Sequence, residues 1–277
     1  MLAGRTSQLS YKKEANNLQG KLTILEQREL AANIFEMTLT GRLVRKMTTS
    51  GQFLNIKIPQ NELLLRRPIS LHEINHEDET CKIIYRIEGS GTQILSTMAA
   101  GAVLDALGPL GNGFDISEIK ANEEVLIVGG GIGTPPLYQL AREVKRKGAK
   151  VTVVLGFASK AVSFHIDKFK ALGDVLVSTD DGSLGSMGHV GLVIDKLLKT
   201  QQFDAVYACG AKGLLKYVDE RFRAHPRAYI SVEARMACGI GACYACVCPV
   251  YGDNTGTQTL KVCDQGPIFA TGKVVLV

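Results

Sequence analysis

Across its 277 residues the chain has no uninterrupted apolar stretch approaching the ~20 residues that cross a bilayer, and its first twenty residues lack the apolar run of a secretory signal. A membrane protein is therefore not expected, and the chain reads as soluble, unexported and cytoplasmic. It also lacks any basic stripe interleaved with aromatics. Its 32 Lys and Arg are scattered among 27 Asp and Glu for a formal charge of +5, which argues against nucleic acid as a partner. With 21% charged and 45% hydrophobic residues, there are too few charges for general disorder and enough apolar material for real cores. No internal repeat or low-complexity tract is visible. A disulfide framework is disfavoured as well, because the cysteines are odd in number and five of the 7 crowd between Cys238 and Cys263. Clustered thiols in an unexported chain point to metal instead.

Residues 1–19 are polar and unpatterned and are expected to form a flexible extension with no assigned role. Over 20–117, short runs rich in β-branched and aromatic residues alternate with turn signals: KLTILEQREL, IFEMTLTG, QFLNIKIP, RRPISLHEI, CKIIYRIEG and AVLDALG. Their spacing predicts a small antiparallel β-barrel, with GTQILSTMAAG as one short closing helix. Over 118–225 the rhythm changes. EEVLIVGGGIG reads as a buried strand, PPLYQLAREVKRKGA as a helix and KVTVVLGF as a second strand. Repetition of this βαβ pattern predicts an α/β domain with a doubly wound, mainly parallel sheet covered on both faces. Residues 226–277 form a third, cysteine-rich and loop-like unit ending in a short strand, KVVLV.

Cys238, Cys243, Cys246 and Cys263 give C-x4-C-x2-C followed by a distant fourth cysteine, the spacing of plant-type [2Fe-2S] centres. Glycines between the thiols let backbone wrap closely and aim amide N–H groups at sulfur. Structural zinc is the alternative, but it needs a second C-x2-C pair, and Cys263 has no partner two residues on. Cys248 reads as a spare thiol and Cys81 as a strand residue.

Gly129, Gly130, Gly131 and Gly133 sit at a strand-to-helix turn, with Pro135 and Pro136 suited to the first helical turn. There a phosphate meets free amides and the positive helix end. Proline occupies the last position of a would-be G-x-G-x-x-G, and no G-K-[ST] follows, so nucleoside triphosphate chemistry is disfavoured. A merely tight turn is the bland reading. Two further strand ends, Thr179-Asp180-Asp181-Gly182 and Cys209-Gly210, belong on the same sheet edge and favour a dinucleotide crevice.

In the barrel, Arg67-Pro68-Ile69-Ser70 places a rigid cationic fork beside a proline-stiffened strand. Tyr85-Arg86 and Gly91-Thr92 add a stacking ring, a second cation and a helix start. His72-Glu73-Ile74-Asn75-His76 matches H-E-x-x-H, but the stretch lies between β-type runs. Four residues of strand separate side chains by about 13 Å, too far for one metal, so a hairpin tip is expected there. His165, His189 and His225 read as isolated surface or packing residues.

The R-P-x-S barrel, GGGIGTPPL and the C-terminal thiol motif together resemble the ferredoxin-NADP reductase superfamily. Within it, VEARMACGIGACYACVCPV and VCDQGPIFATGKVVL resemble the electron-transfer subunits of type B dihydroorotate dehydrogenases. The resemblance spans about residues 20–277 and implies FAD in the barrel, NAD at the glycine loop and one [2Fe-2S] cluster near the C-terminus. By motif, Arg67 would bind FAD phosphate, and Pro68, Ile69 and Ser70 would line the flavin and its ribityl chain. Ile84, Tyr85, Arg86, Gly91 and Thr92 would complete that site. Gly131, Gly133, Thr134, Asp180, Cys209 and Gly210 would serve the nucleotide, and the four cysteines would ligate iron.

The resemblance further implies an FMN-containing dihydroorotate dehydrogenase catalytic subunit as partner, in a heterotetramer of two of each. Electrons would pass between that FMN and NAD through the cluster and FAD, in pyrimidine biosynthesis, with no proton-transfer residue in this chain. Small subunits of other flavin-iron-sulfur complexes, such as a sulfide dehydrogenase or an NADH-dependent ferredoxin reductase, share these motifs. A zinc-stabilised nucleotide-binding regulator is the remaining alternative. Two positions depart from the pattern: Thr134 replaces a small apolar residue, and Ala211 follows Cys209-Gly210 where related reductases often have proline. Lys160, near the end of the second nucleotide strand, leaves NADPH open beside NADH.

Overall fold

A computed structural model describes residues 18–276. The expected extension lies outside the described residues except for its last two positions, and Gln19 already opens the first strand. The first six strands are β1 (Gln19–Ala31), β2 (Ile34–Thr40), β3 (Phe53–Ile56), β4 (Arg67–Asn75), β5 (Thr80–Arg86) and β6 (Val103–Leu110). They close a barrel in the order β1-β2-β5-β4-β3-β6, all neighbours antiparallel. Alternation explains the closure. Leu22 and Ile24, Leu54 and Ile56, and Ile69 and Leu71 point inward to one core, while the residues between them face outward. Helix α1 (Ser90–Ser96) follows β5.

The second unit holds β7 (Glu124–Gly130), α2 (Pro135–Arg146), β8 (Lys150–Phe157), α3 (Ile166–Lys170), β9 (Asp174–Thr179), β10 (Ser186–Met187), α4 (Val190–Leu197), β11 (Ala205–Cys209), α5 (Lys212–Arg221) and β12 (Ala228–Ser231). Three short strands complete the chain: β13 (Val247–Pro249), β14 (Thr259–Lys261) and β15 (Ile268–Ala270). The main sheet runs β10-β9-β8-β7-β11-β12-β15, parallel except for β15. Val125 and Ile127 of β7 pack with α2 and α3, whereas Leu126 and Val128 pack with α4 and α5. Both sheet faces are thus covered, as the apolar strand runs require. The chain moves outward through β8 and then returns to β11 on the other side of β7, so a topological switch point lies between β7 and β11.

The C-terminal segment is organised differently from the reading above. β12 and β15 both belong to the main sheet, so the cysteine segment from residue 232 to 267 is an excursion from that sheet and returns to it. The closing strand is Ile268–Ala270, and Lys273–Leu276 is not a strand, making only a single bridge, Val250 to Val274. KVVLV is apolar enough to read as β, but the edge it meets is only the short end of β13, where Tyr251 donates to the Lys273 carbonyl and Val275 to the Pro249 carbonyl.

A polar seam joins barrel and sheet units. His72 is an interior residue of β4, 1% exposed, and only His76 reaches the turn, so H-E-x-x-H is extended rather than helical. His165 is not isolated, since its ring stacks on His72 and its Nε2 lies 2.7 Å from Glu36 Oε2. Burial works against ionisation of Glu36, yet hydrogen bonds with His165 and Arg28 and the charge of Lys168 hold its carboxyl well below the usual range. Arg142 pairs with Glu73 at 2.6 Å, and Ser50 donates to Glu143 at 2.8 Å, fixing α2 against the barrel.

His72 Nδ1 lies 2.8 Å from the Pro135 carbonyl, an acceptor only, so Nδ1 carries the proton of a neutral ring. Burial pushes this imidazole down to about 3. Between that value and the unfolded value of about 6.5 the unfolded chain binds the extra proton, so stability present above pH 6.5 is lost as pH falls. The expected loss between pH 7.5 and 5.5 is about 1.5 kcal/mol from this group. Thermal midpoints of the intact protein and His72→Phe, measured across that window, should diverge, with the variant losing less. Parallel curves would show that His72 does not titrate there.

Candidate functional site: a two-sided cleft and a thiol centre

The carboxyl ends of β7, β8, β9 and β11 face β4 and β5 of the barrel across a cleft of about 1110 Å³. Arg67, Pro68, Ile69 and Ser70 line it from β4, Ile84, Tyr85 and Arg86 from β5, and Gly91 and Thr92 from α1. Gly131, Gly133, Asp180, Cys209 and Gly210 line it from the sheet. Thr134 does not. It is fully buried behind the glycine turn, with a hydroxyl that finds no partner and sits beside Gly129, so its side chain packs against the sheet instead of facing the cleft.

Local detail sorts these residues. Arg67 donates to the Leu65 carbonyl at 2.6 Å, and its guanidinium lies over Gly91, where a Cβ would approach it to 2.5 Å. Glycine there keeps the fork of Arg67 at the cleft. Tyr85 stacks on Phe35 and donates to Gln27 Oε1 at 2.8 Å, which locks its ring on the cleft wall. Thr92 caps α1, its Oγ1 accepting from the Glu88 and Gly89 amides, and Arg86 is paired with Glu88. On the other side, a Cβ on Gly133 would lie 2.5 Å from backbone atoms of Gly210, so the glycine turn and the end of β11 touch. Burial pushes the Cys209 thiol up to about 12, against a hydrogen bond with Ser231. It stays a neutral thiol.

Phe53, His189, Tyr217 and Glu233 also line the cleft and were not foreseen. Each stands alone in its sequence neighbourhood, so no spacing signals it. A second groove of about 830 Å³ shares Arg67, Pro68, Gly210 and Ala211 with the cleft and reaches Cys248. Cys248 is buried in β13.

Cys238, Cys243, Cys246 and Cys263 come together beside this cleft. The Ile240 and Ala242 amides approach Cys238 Sγ at 3.5 and 3.3 Å, the Gly241 amide approaches Cys263 Sγ at 3.1 Å, and the Cys263 amide approaches Cys246 Sγ at 3.4 Å. Gly239, Gly241 and Tyr244 have φ values of 73°, 81° and 57°, the left-handed turns that aim these amides inward. Burial opposes ionisation of Cys238, but amides of Ile240, Cys243 and Ala242 with the Cys243 side chain hold its thiol below the ordinary range. Lys261 braces the loop by donating to the Gly241 carbonyl at 3.1 Å.

The pairing discriminates between metals. Cys238 hydrogen-bonds with Cys243, and Cys263 with Cys246. One tetrahedral zinc with bonds of about 2.3 Å would draw all four sulfurs to about 3.8 Å of one another. Among the described residues, the trio whose ligand atoms converge within 4.8 Å is Glu36, His72 and His165, not the cysteines. Glu36 in that trio is already balanced by Arg28, His165 and Lys168. Two sulfur pairs with amides aimed at them fit a two-iron centre, and thiolate-directed amides supply the hydrogen bonds such a centre uses.

Residues 233–275 match the family model described as the iron-sulfur cluster binding domain of dihydroorotate dehydrogenase B. The chain is 54% identical over 259 residues to the dihydroorotate dehydrogenase B (NAD(+)) electron transfer subunit of Enterococcus faecalis, covering 93% of this chain and 98% of that protein. It is 54% identical over 255 residues to the subunit of the same name from Streptococcus thermophilus, covering 92% and 98%. Among solved structures, it superposes with a TM-score of 0.81 at 30% identity, over 92% of this chain and 90% of the other, on a chain from a study of flavin-based electron bifurcation by an NADH-dependent reduced ferredoxin-NADP oxidoreductase.

Proposed function

This chain belongs to the family of dihydroorotate dehydrogenase B electron transfer subunits, and on that premise we propose that its residues carry electrons between NAD and a separate catalytic subunit through FAD and a [2Fe-2S] cluster. The observation that carries this reading is the single cleft onto which the barrel's Arg67–Ser70 strand and the glycine turn both open. A flavin held from the barrel side and a nicotinamide held from the sheet side would share that space.

In this reading Arg67 holds FAD phosphate as a rigid fork, Pro68 to Ser70 and Ile84 to Arg86 wall the ring and ribityl chain, and Gly91 keeps Arg67 in place. Gly131 and Gly133 would bring nucleotide phosphate against the backbone of the glycine turn and the positive end of α2, whose first two residues are prolines without an N–H, and Asp180, Cys209 and Gly210 would bound the remaining nucleotide site. Cys238, Cys243, Cys246 and Cys263 hold the cluster, and the loop amides offset thiolate charge. When bound, FAD exchanges electrons with NAD in pairs and with the cluster singly. No group of this chain has to move a proton for hydride transfer.

The partner is proposed to be an FMN-bearing dihydroorotate dehydrogenase subunit, two of each forming a cytoplasmic heterotetramer. The relatives are named subunits, which supports a catalytic partner. Among the described residues no helix is long and apolar enough to cross a membrane. We take 20–117, 118–225 and 226–277 as the flavin, nucleotide and cluster units, the last lending β12 and β15 to the nucleotide sheet. The test is co-purification without air, metal and flavin analysis of this chain, and an assay of the complex for orotate formation coupled to NAD reduction. FAD, iron and dihydroorotate-dependent NADH formation are expected. Zinc without flavin, or ferredoxin-linked activity with no response to dihydroorotate, would reject the proposal.

A further inference from the structure

Asn55 is fully buried in β3, and neither its amide nitrogen nor its amide oxygen has a hydrogen-bond partner. The alternation of β3 explains where it points. Leu54 and Ile56 enter the barrel core, whereas Phe53 belongs to the core outside the barrel that also holds Leu110, Cys246 and Cys263. Asn55 shares the outward face of Phe53. The residue covering it is Gly239, next to Cys238: a Cβ there would lie 2.6 Å from Asn55 Nδ2. Across the sheet its register partner is Pro68, which lines the cleft. The side chain therefore stands between the flavin strand and the thiol loop.

Leaving a buried amide without a partner destabilises the fold, and an apolar residue of the same shape would avoid that cost. Gly239, Leu110 and Pro68 beside it offer no side-chain partner, while a cluster bound in the cysteine loop would bring thiolate charge there. Resting on the cluster reading above, we propose that Asn55 is a positioning residue whose amide N–H is directed at the Cys238 side of the bound cluster. There it offsets negative charge and raises the cluster's reduction potential.

The test uses the full chain purified with its partner without air, comparing wild type, Asn55→Leu and Asn55→Asp. Iron, flavin and the midpoint potentials of cluster and flavin are measured by redox titration with EPR and visible detection. Both variants are expected to keep iron and flavin. Each should favour the oxidised cluster about tenfold more than wild type, about 59 mV for one electron, with the flavin potential shifted less. Asn55→Asp, similar in shape but lacking the N–H and adding a carboxylate charge, should shift the cluster at least as far, and it secures the comparison if Asn55→Leu does not fold. An unmoved cluster potential, equal shifts of cluster and flavin, or loss of iron with flavin retained would each overturn the proposal. A wild-type protein without iron would instead overturn the cluster reading itself.

Discussion

Cys246→Ala is expected to yield a folded protein that keeps its flavin and loses its iron. Cys246 is 2% exposed and packs in the core shared by Phe53, Val262 and Cys263, and its sulfur accepts from the Cys263 amide. Removing it leaves Cys263 without the sulfur it pairs with, while the Cys238 and Cys243 pair stays intact. Three thiolates do not close two tetrahedral irons. Metal analysis should fall from two irons per chain to near zero, and reduction of one-electron acceptors by NADH should drop by at least about 100-fold, beyond the range seen for outer-shell changes. Flavin reduction by NADH should persist. Cys248→Ala is the control. Its thiol is buried but belongs to none of the sulfur pairs, so iron content should be unchanged at a stability cost of about 1 kcal/mol. Iron retained in Cys246→Ala, or lost in Cys248→Ala, would refute the ligand assignment.

Gly133→Ala should impair the nucleotide side by a different physical route. The added Cβ meets Gly210 Cα and N at 2.5 Å and the Cys209 carbonyl carbon at 2.6 Å, all backbone atoms that no rotamer can move aside. Relief requires β11 and the glycine turn to separate at the switch point where dinucleotides bind. The KM for NADH is expected to rise more than about tenfold, roughly the 1.4 kcal/mol that a modest displacement of phosphate-binding amides represents. Flavin content should stay at wild-type level, because the atoms that the new Cβ meets belong to Cys209 and Gly210 of the sheet side. Gly131→Ala separates steric from conformational cost. A Cβ there meets nothing within 4 Å, but its φ of 50° strains any side chain, so a milder effect is expected. Steady-state and stopped-flow flavin reduction by NADH read both variants. Unchanged NADH affinity in Gly133→Ala would place the nucleotide elsewhere.

Much of the architecture was legible because its causes are local. The six barrel runs, the βαβ rhythm and the glycine turn all follow from periods of two and 3.6 residues and from turn chemistry, and the strands appear where those periods placed them. The C-terminal part was not legible in the same way. Ile268–Ala270 is three residues long and is a strand only because β12 offers it an edge. Lys273–Leu276 looks more like a strand, yet the edge it meets at Pro249–Tyr251 is long enough for one bridge only. Thr134 shows the limit at single-residue scale: its position beside the glycines is plain, but which way its hydroxyl turns depends on the sheet behind it.

The amino-acid sequence alone determined the four cysteines, the R-P-x-S strand and the glycine turn, since each is a contiguous or fixed-spacing arrangement whose chemistry is set by neighbours along the chain. Tertiary structure alone decided that His72 stacks on His165 some ninety residues away, that Glu233 and Phe53 share one cleft, and that Asn55 lies buried beneath Gly239. Those relations join segments distant in sequence. Their energies come from burial and close approach, which exist only once the barrel, the sheet and the thiol loop have packed against one another.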